Sequence, residues 1–204
     1  MVRRPIAAFL AAAFLLPAPT SLYKTQRGLL DVLREAVLLQ RFDAMTERLQ
    51  SIDGELDELR WDAVRLRQRA DSARLRVDRD SFFPFELGRF KDAVWHKKLW
   101  LQERRWDAEH LADSMLEGPR FAAAAEKTRA AAETTGGRLE EFTAAVADLQ
   151  ASVQSAGPDL LGRGAAWDAA MSREDAREML IQLRALEKAL SDARDRAQGN
   201  PHAS

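Results

Sequence analysis

Cysteine is absent from the 204 residues, which removes disulfides, thiolate metal sites, a thiol nucleophile and a lipid-modified N-terminal cysteine together. Glycine (10) and proline (7) are scarce and tyrosine occurs once. With few β-branched residues as well, no segment reads as a strand. The formal net charge is only −1, so the chain as a whole exerts no electrostatic pull on nucleic acid, and no nucleic-acid partner is expected. A glycine-rich phosphate loop, an HExxH helix and a tight Ser/His/Asp grouping are all missing from the sequence. Nucleotide, zinc-protease and nucleophilic chemistries therefore fail on residue type, no catalytic residue is assigned, the chain is not expected to be an enzyme, and no cofactor is expected.

What remains is rich in Ala, Leu, Arg, Glu and Asp, an all-α composition. Its strongest pattern is an apolar residue at alternating four- and three-residue steps: Leu38, Phe42, Met45, Leu49, Ile52, Leu56, Leu59, Ala63, Leu66, Ala70, Ala73 and Val77. Twelve successive hits on a period of about 3.5 residues predict one helix with a continuous apolar seam that must be buried against another helix. The expected fold is a long coiled-coil helical hairpin or an elongated helical bundle of about four helices.

The segment boundaries follow from breakers. A first helix is expected over about 24–80, on the order of 80 Å long. Pro84, tolerated in a first turn but not in an interior, reverses the chain. A second helix follows over about 86–117 and stops at Gly118-Pro119. A third, over about 120–155, carries the seam Phe121, Ala125, Thr128, Ala132, Thr135, Leu139, Phe142, Val146, Leu149 and Val153, with a kink or loop expected at Gly136-Gly137. Together these make a coiled-coil region over 24–156. Residues 157–171 read as a connector, or as a short helix within it. A C-terminal helix over 172–198 is expected to open with Ser172 as its cap, three residues before Asp175, and to bury Met179, Leu183, Leu186, Leu190 and Ala193. Residues 199–204 read as a disordered tail.

The N-terminus carries the targeting signal. Arg3 and Arg4 precede an apolar run over residues 6–16, and no charge falls between Pro5 and Tyr23. Residues 1–23 are thus expected to be a signal peptide or a membrane anchor, giving a periplasmic or secreted protein or one anchored through residues 5–23. A mitochondrial presequence is the alternative, since no acid precedes Asp31.

Charge is segregated along the chain. Residues 60–106 hold 13 of the 31 bases and 7 of the 32 acids, leaving 18 bases against 25 acids elsewhere. Within that basic stretch lie Phe82, Phe83, Phe85, Trp95, Trp100 and Trp106. At the tip of a hairpin such rings suit docking into a partner's groove or contact with a membrane surface. The competing expectation is that they fill the core of a bundle, with Trp95, Leu99 and Trp106 as one core stripe. A second candidate is His96, Glu103, Asp107 and His110 on one helical face. Only Asp107 and His110 are close enough to share a metal, and a solvated polar face is the better account of all four. The arginines between Arg60 and Arg79 alternate with acids and read as a solvated exterior.

The expected role is an exported or membrane-anchored coiled-coil adaptor, spacer or assembly component. It would act through contacts with another protein, through self-association along its helix seams, or through lipid. The alternatives are a metal- or small-ligand-binding helical bundle, with or without enzymatic activity, and an accessory subunit of a large membrane complex.

Overall fold

The computed structural model describes residues 19–114 and 116–199, with side chains from residue 30 onward. The apolar run over 6–16 and residues 200–204 lie outside it. The described residues form helices and the turns that join them, without a strand: α1 (Pro19–Arg76), α2 (Phe83–Asp113), α3 (Pro119–Ala156), α4 (Pro158–Leu161) and α5 (Ala165–Ala197). No described helix is long and apolar enough to cross a membrane.

The helix ends follow from local chemistry. α1 closes on Val77, at a φ of 52°. The Asp78 amide donates to the Ala73 carbonyl at 3.1 Å, and the Val77 amide to that of Arg74 at 3.4 Å. These are the two bonds of a Schellman motif, with valine where glycine is usual. α2 opens with Pro84 in its first turn, and the Asp80 carboxylate accepts from the amides of Phe82 and Phe83 at 3.2 and 3.1 Å. α3 and α4 each begin with a proline that follows a glycine of positive φ, Gly118 and Gly157.

Two contact units divide the chain, Met1–Gln40 and Arg41–Ser204. In the first, Leu30, Val32, Leu33 and Val37 are exposed. In the second, cross-helix contacts fix a ring of four long helices in the order α1, α2, α5, α3. Along α1 and α3 partner numbers rise together: Asp43 with Lys127, Thr46 with Thr128, Asp57 with Arg138, Arg67 with Asp148. These two helices are parallel neighbours. So are α2 and α5, through Lys91 with Asp168 and Lys98 with Asp175. The antiparallel neighbours are α1 with α2, through Arg69–Glu86 and Lys97–Glu55, and α3 with α5, through Gln150–Arg173 and Glu126–Arg194. The connection between α2 and α3 thus crosses the bundle end, and Phe90 and Phe142 meet across the centre with ring centroids 6.3 Å apart.

Eleven of the twelve α1 seam positions are buried, Leu38 through Ala73, as are all ten on α3 and all five named on α5. Val77 stands out at 79% exposed because it lies past the helix end. A polar layer interrupts the α1/α3 contact. The Thr46 and Thr128 hydroxyls lie 2.7 Å apart, and the Thr135 hydroxyl donates to Asp53 at 2.8 Å. Buried partners that match in one alignment only disfavour a slipped register.

Several expectations are corrected. α3 runs unbroken through Gly136-Gly137. The missing side chain at Gly136 serves a close approach instead, since a Cβ there would lie 3.3 Å from Glu187 and 3.7 Å from Leu183 on α5. Ser172 caps nothing: α5 begins at Ala165, and the buried Ser172 hydroxyl donates to the Asp168 carbonyl four residues back. The core stripe of α2 is not Trp95, Leu99 and Trp106 but Phe83, Leu87, Phe90, Val94, Leu101, Ala108 and Leu111.

Candidate functional site

The turn between α1 and α2 is held from three directions. Arg69 on α1 donates to both Asp80 oxygens, through Nε at 2.9 Å and Nη2 at 2.7 Å, and also to Glu86 of α2. Burial desolvates this guanidinium and lowers its pKa, but the hydrogen bonds to Asp80 and Glu86 outweigh that and hold it above its ordinary value. The Asp80 amide donates to the Leu160 carbonyl at 3.0 Å. Pro84 rests against Gly162, so the α1/α2 turn is braced by the chain that links α3 to α5.

That anchorage sorts the three phenylalanines. Phe83 is fully buried, with the Arg69 guanidinium 6.0 Å from its ring centroid, and so cannot be a contact residue for a partner. Its expected place in a binding surface is corrected on that ground. Phe82 and Phe85, by contrast, are 71% and 65% exposed. They border a groove of about 450 Å³ between α1 and α2, with Leu66, Phe90 and Ala93 among its apolar walls and Asp62, Arg65, Glu86 and Arg89 on its charged margins. Leu75 and Val77, at the end of α1 just before this turn, are exposed too.

The tryptophans do not join this surface as a set. Trp95 is exposed and meets the neighbouring His96 edge-on at 5.0 Å. Trp100 is half-buried beneath Arg104, whose guanidinium carbon lies 5.8 Å from its centroid. Trp106 is exposed and stacks on His110 at 3.8 Å. Sequence reasoning passed over two exposed rings, Trp61 on α1 and Trp167 on α5, the latter under Lys91 at 4.9 Å. Neither sits in the dense aromatic stretch that drew attention, so only their places off the apolar seams marked them.

The proposed metal pair is engaged otherwise. Asp107 bonds the Arg104 guanidinium at 2.6 Å, and His110 Nδ1 lies 2.8 Å from the Trp106 carbonyl. Among the described residues no group of three or more His, Cys, Asp or Glu is arranged to hold a metal ion. Elsewhere on α2, Lys97 faces Glu55 and is pushed below its ordinary pKa by burial, whereas the hydrogen bond to Asp168 holds Lys91 above its own.

No family model, curated protein or solved structure matches this chain.

Proposed function

We propose that this protein is a non-enzymatic helical adaptor or spacer of coiled-coil character, exported or held to a membrane by residues 1–23. It would recruit a partner protein through the α1/α2 end. The observation that carries this reading is the contrast between Phe82 and Phe85, solvent-facing beside a groove, and Phe83, packed in the core one residue away. Two large rings left in water on a turn clamped by Arg69, Asp80 and Gly162 are preorganised anchors, which lose little conformational freedom on binding. The margin of the groove carries Arg65 and Arg89 with Asp62 and Glu86, and suits the apolar face of a partner helix flanked by mixed charge.

A photo-crosslinking side chain placed at Phe85 in the full-length chain tests the proposal in the producing cell. Discrete adducts that vanish on adding Phe82→Ser, and that do not form from a probe at the exposed Ser51, support it. Adducts indifferent to Phe82→Ser overturn it.

A further inference from the structure

We infer that the α1/α2 groove holds a second site, away from the Phe82 turn, that binds a phosphomonoester dianion. Arg41 and Arg48, two turns apart on one face of α1, line a pocket of about 480 Å³ with Arg104, Trp106 and His110 of α2. Elsewhere along α1 the arginines that reach neighbouring helices are matched by acids: Arg60 by Glu141, Arg67 by Asp148, Arg69 by Asp80 and Glu86. Arg41 and Arg48 have no ion pair or hydrogen bond among the described residues, and the pocket's single carboxylate, Asp107, is taken by Arg104 at 2.6 Å. The buried Arg104 Nε also lacks a partner.

Arg104 is compensated by Asp107 and, at 3.3 Å, by Glu103, so the unmatched charge at the pocket is that of Arg41 and Arg48, about +2, which a phosphate dianion balances and a monocarboxylate does not. The floor is apolar, formed by the buried Met45 and Leu111, and Trp106 stands open at the side. An aromatic or other flat group esterified to the phosphate would lie against these surfaces.

The test is titration of the full-length protein with inorganic phosphate, with phenyl phosphate and with vesicles of phosphatidylcholine with or without phosphatidic acid, followed by the indole resonances and by flotation. The wild type should bind phenyl phosphate saturably and more tightly than inorganic phosphate. Arg41→Ala/Arg48→Ala should weaken it at least about tenfold, by loss of charge-assisted bonds. Its melting temperature should stay close to the parent's, because both arginines are exposed and neither has an ion pair or hydrogen bond that folding would lose. The control Arg74→Ala/Arg76→Ala removes the same charge from the far end of α1 and should leave binding intact. Binding to phosphatidic acid vesicles alone, dependent on Arg41 and Arg48, keeps the site and assigns the phosphate to a lipid headgroup. Absence of saturable binding to every probe, or equal loss in both double variants, overturns the inference.

Discussion

A Cβ placed on Gly162 would stand 2.9 Å from Cγ of Pro84. Gly162 also holds a φ of +88° with a ψ of 152°, an essentially glycine-only backbone region that costs a side chain roughly 1–3 kcal/mol. Gly162→Ala should therefore destabilise the protein twice over, by backbone strain and by driving the α3–α5 connection away from the α1/α2 turn, for a total of about 2 kcal/mol or more. In a double-mutant cycle by denaturant melting, Pro84→Ala should recover the steric part only. Strict additivity would mean that the two turns do not brace each other.

Val77 supplies the opposite case. Its αL conformation at the end of α1 suits glycine and strains a β-branched side chain, while that side chain is almost wholly in solvent and buries nothing. Val77→Gly should raise stability by about 1 kcal/mol, the αL penalty less the added flexibility of the unfolded chain. A loss on thermal melting would show that Val77 packs against something in the native state.

How far the sequence disclosed this fold depended on the element. The seams of α1, α3 and α5 could be read residue by residue because bulky apolar positions and charged positions alternate there without ambiguity, from Phe42 to Leu66 and from Leu139 to Val153. On α2 the same reasoning selected Trp95 and Trp106, whose size outweighs the smaller Val94, Ala108 and Ala112 that form the buried face. Ring order was hidden altogether. A periodic seam says that a helix is covered, not by which neighbour: the parallel pairing of α1 with α3 joins the seam residues Thr128 and Thr135 to Thr46 and Asp53, polar residues off the α1 seam that propensity alone assigns to the surface. At the candidate site, the aromatic density marked the right turn, but Phe82, Phe83 and Phe85 are chemically identical. Only the direction each takes from the Asp80 cap separates core from surface.

Two carboxylates at the α3/α5 contact should answer pH in opposite senses. Burial, reinforced by Glu133, raises the pKa of Glu187, with Arg184 and Arg129 offsetting part of the effect. Its ionised form therefore costs stability in the fold, a cost absent below the ordinary carboxylate range and complete above the raised value. Glu187→Gln should lift the melting temperature by a few degrees at neutral pH, with the gain fading on acidification. The hydrogen bond from Arg129, then that from Arg194, holds Glu126 at about 2. Its contribution is fully present above the ordinary carboxylate value and is lost as pH falls through about 2. At 43% side-chain exposure, screening confines it to about 1 kcal/mol or less. A pH-independent difference between Glu187→Gln and the parent would contradict the half-buried placement of this carboxylate.

The three phenylalanines of the turn should separate cleanly when each is truncated. At about 100° per residue, Phe83 shares a stripe with Leu87, Phe90 and Val94, while Phe82 and Phe85 point away from it. Phe83→Ala should cost about 3–5 kcal/mol, because a fully buried ring leaves both its transfer free energy and a cavity behind. Phe82→Ser and Phe85→Ser should each change stability by no more than about 0.5 kcal/mol, as exposed positions do. Urea melts at several protein concentrations give the result its meaning. If the exposed pair costs as much as Phe83 and the loss grows with concentration, a second copy covers the rings and the partner is the protein itself. If it costs as much at every concentration, the rings belong to the core of a single chain, and the recruiting surface proposed at this end does not exist.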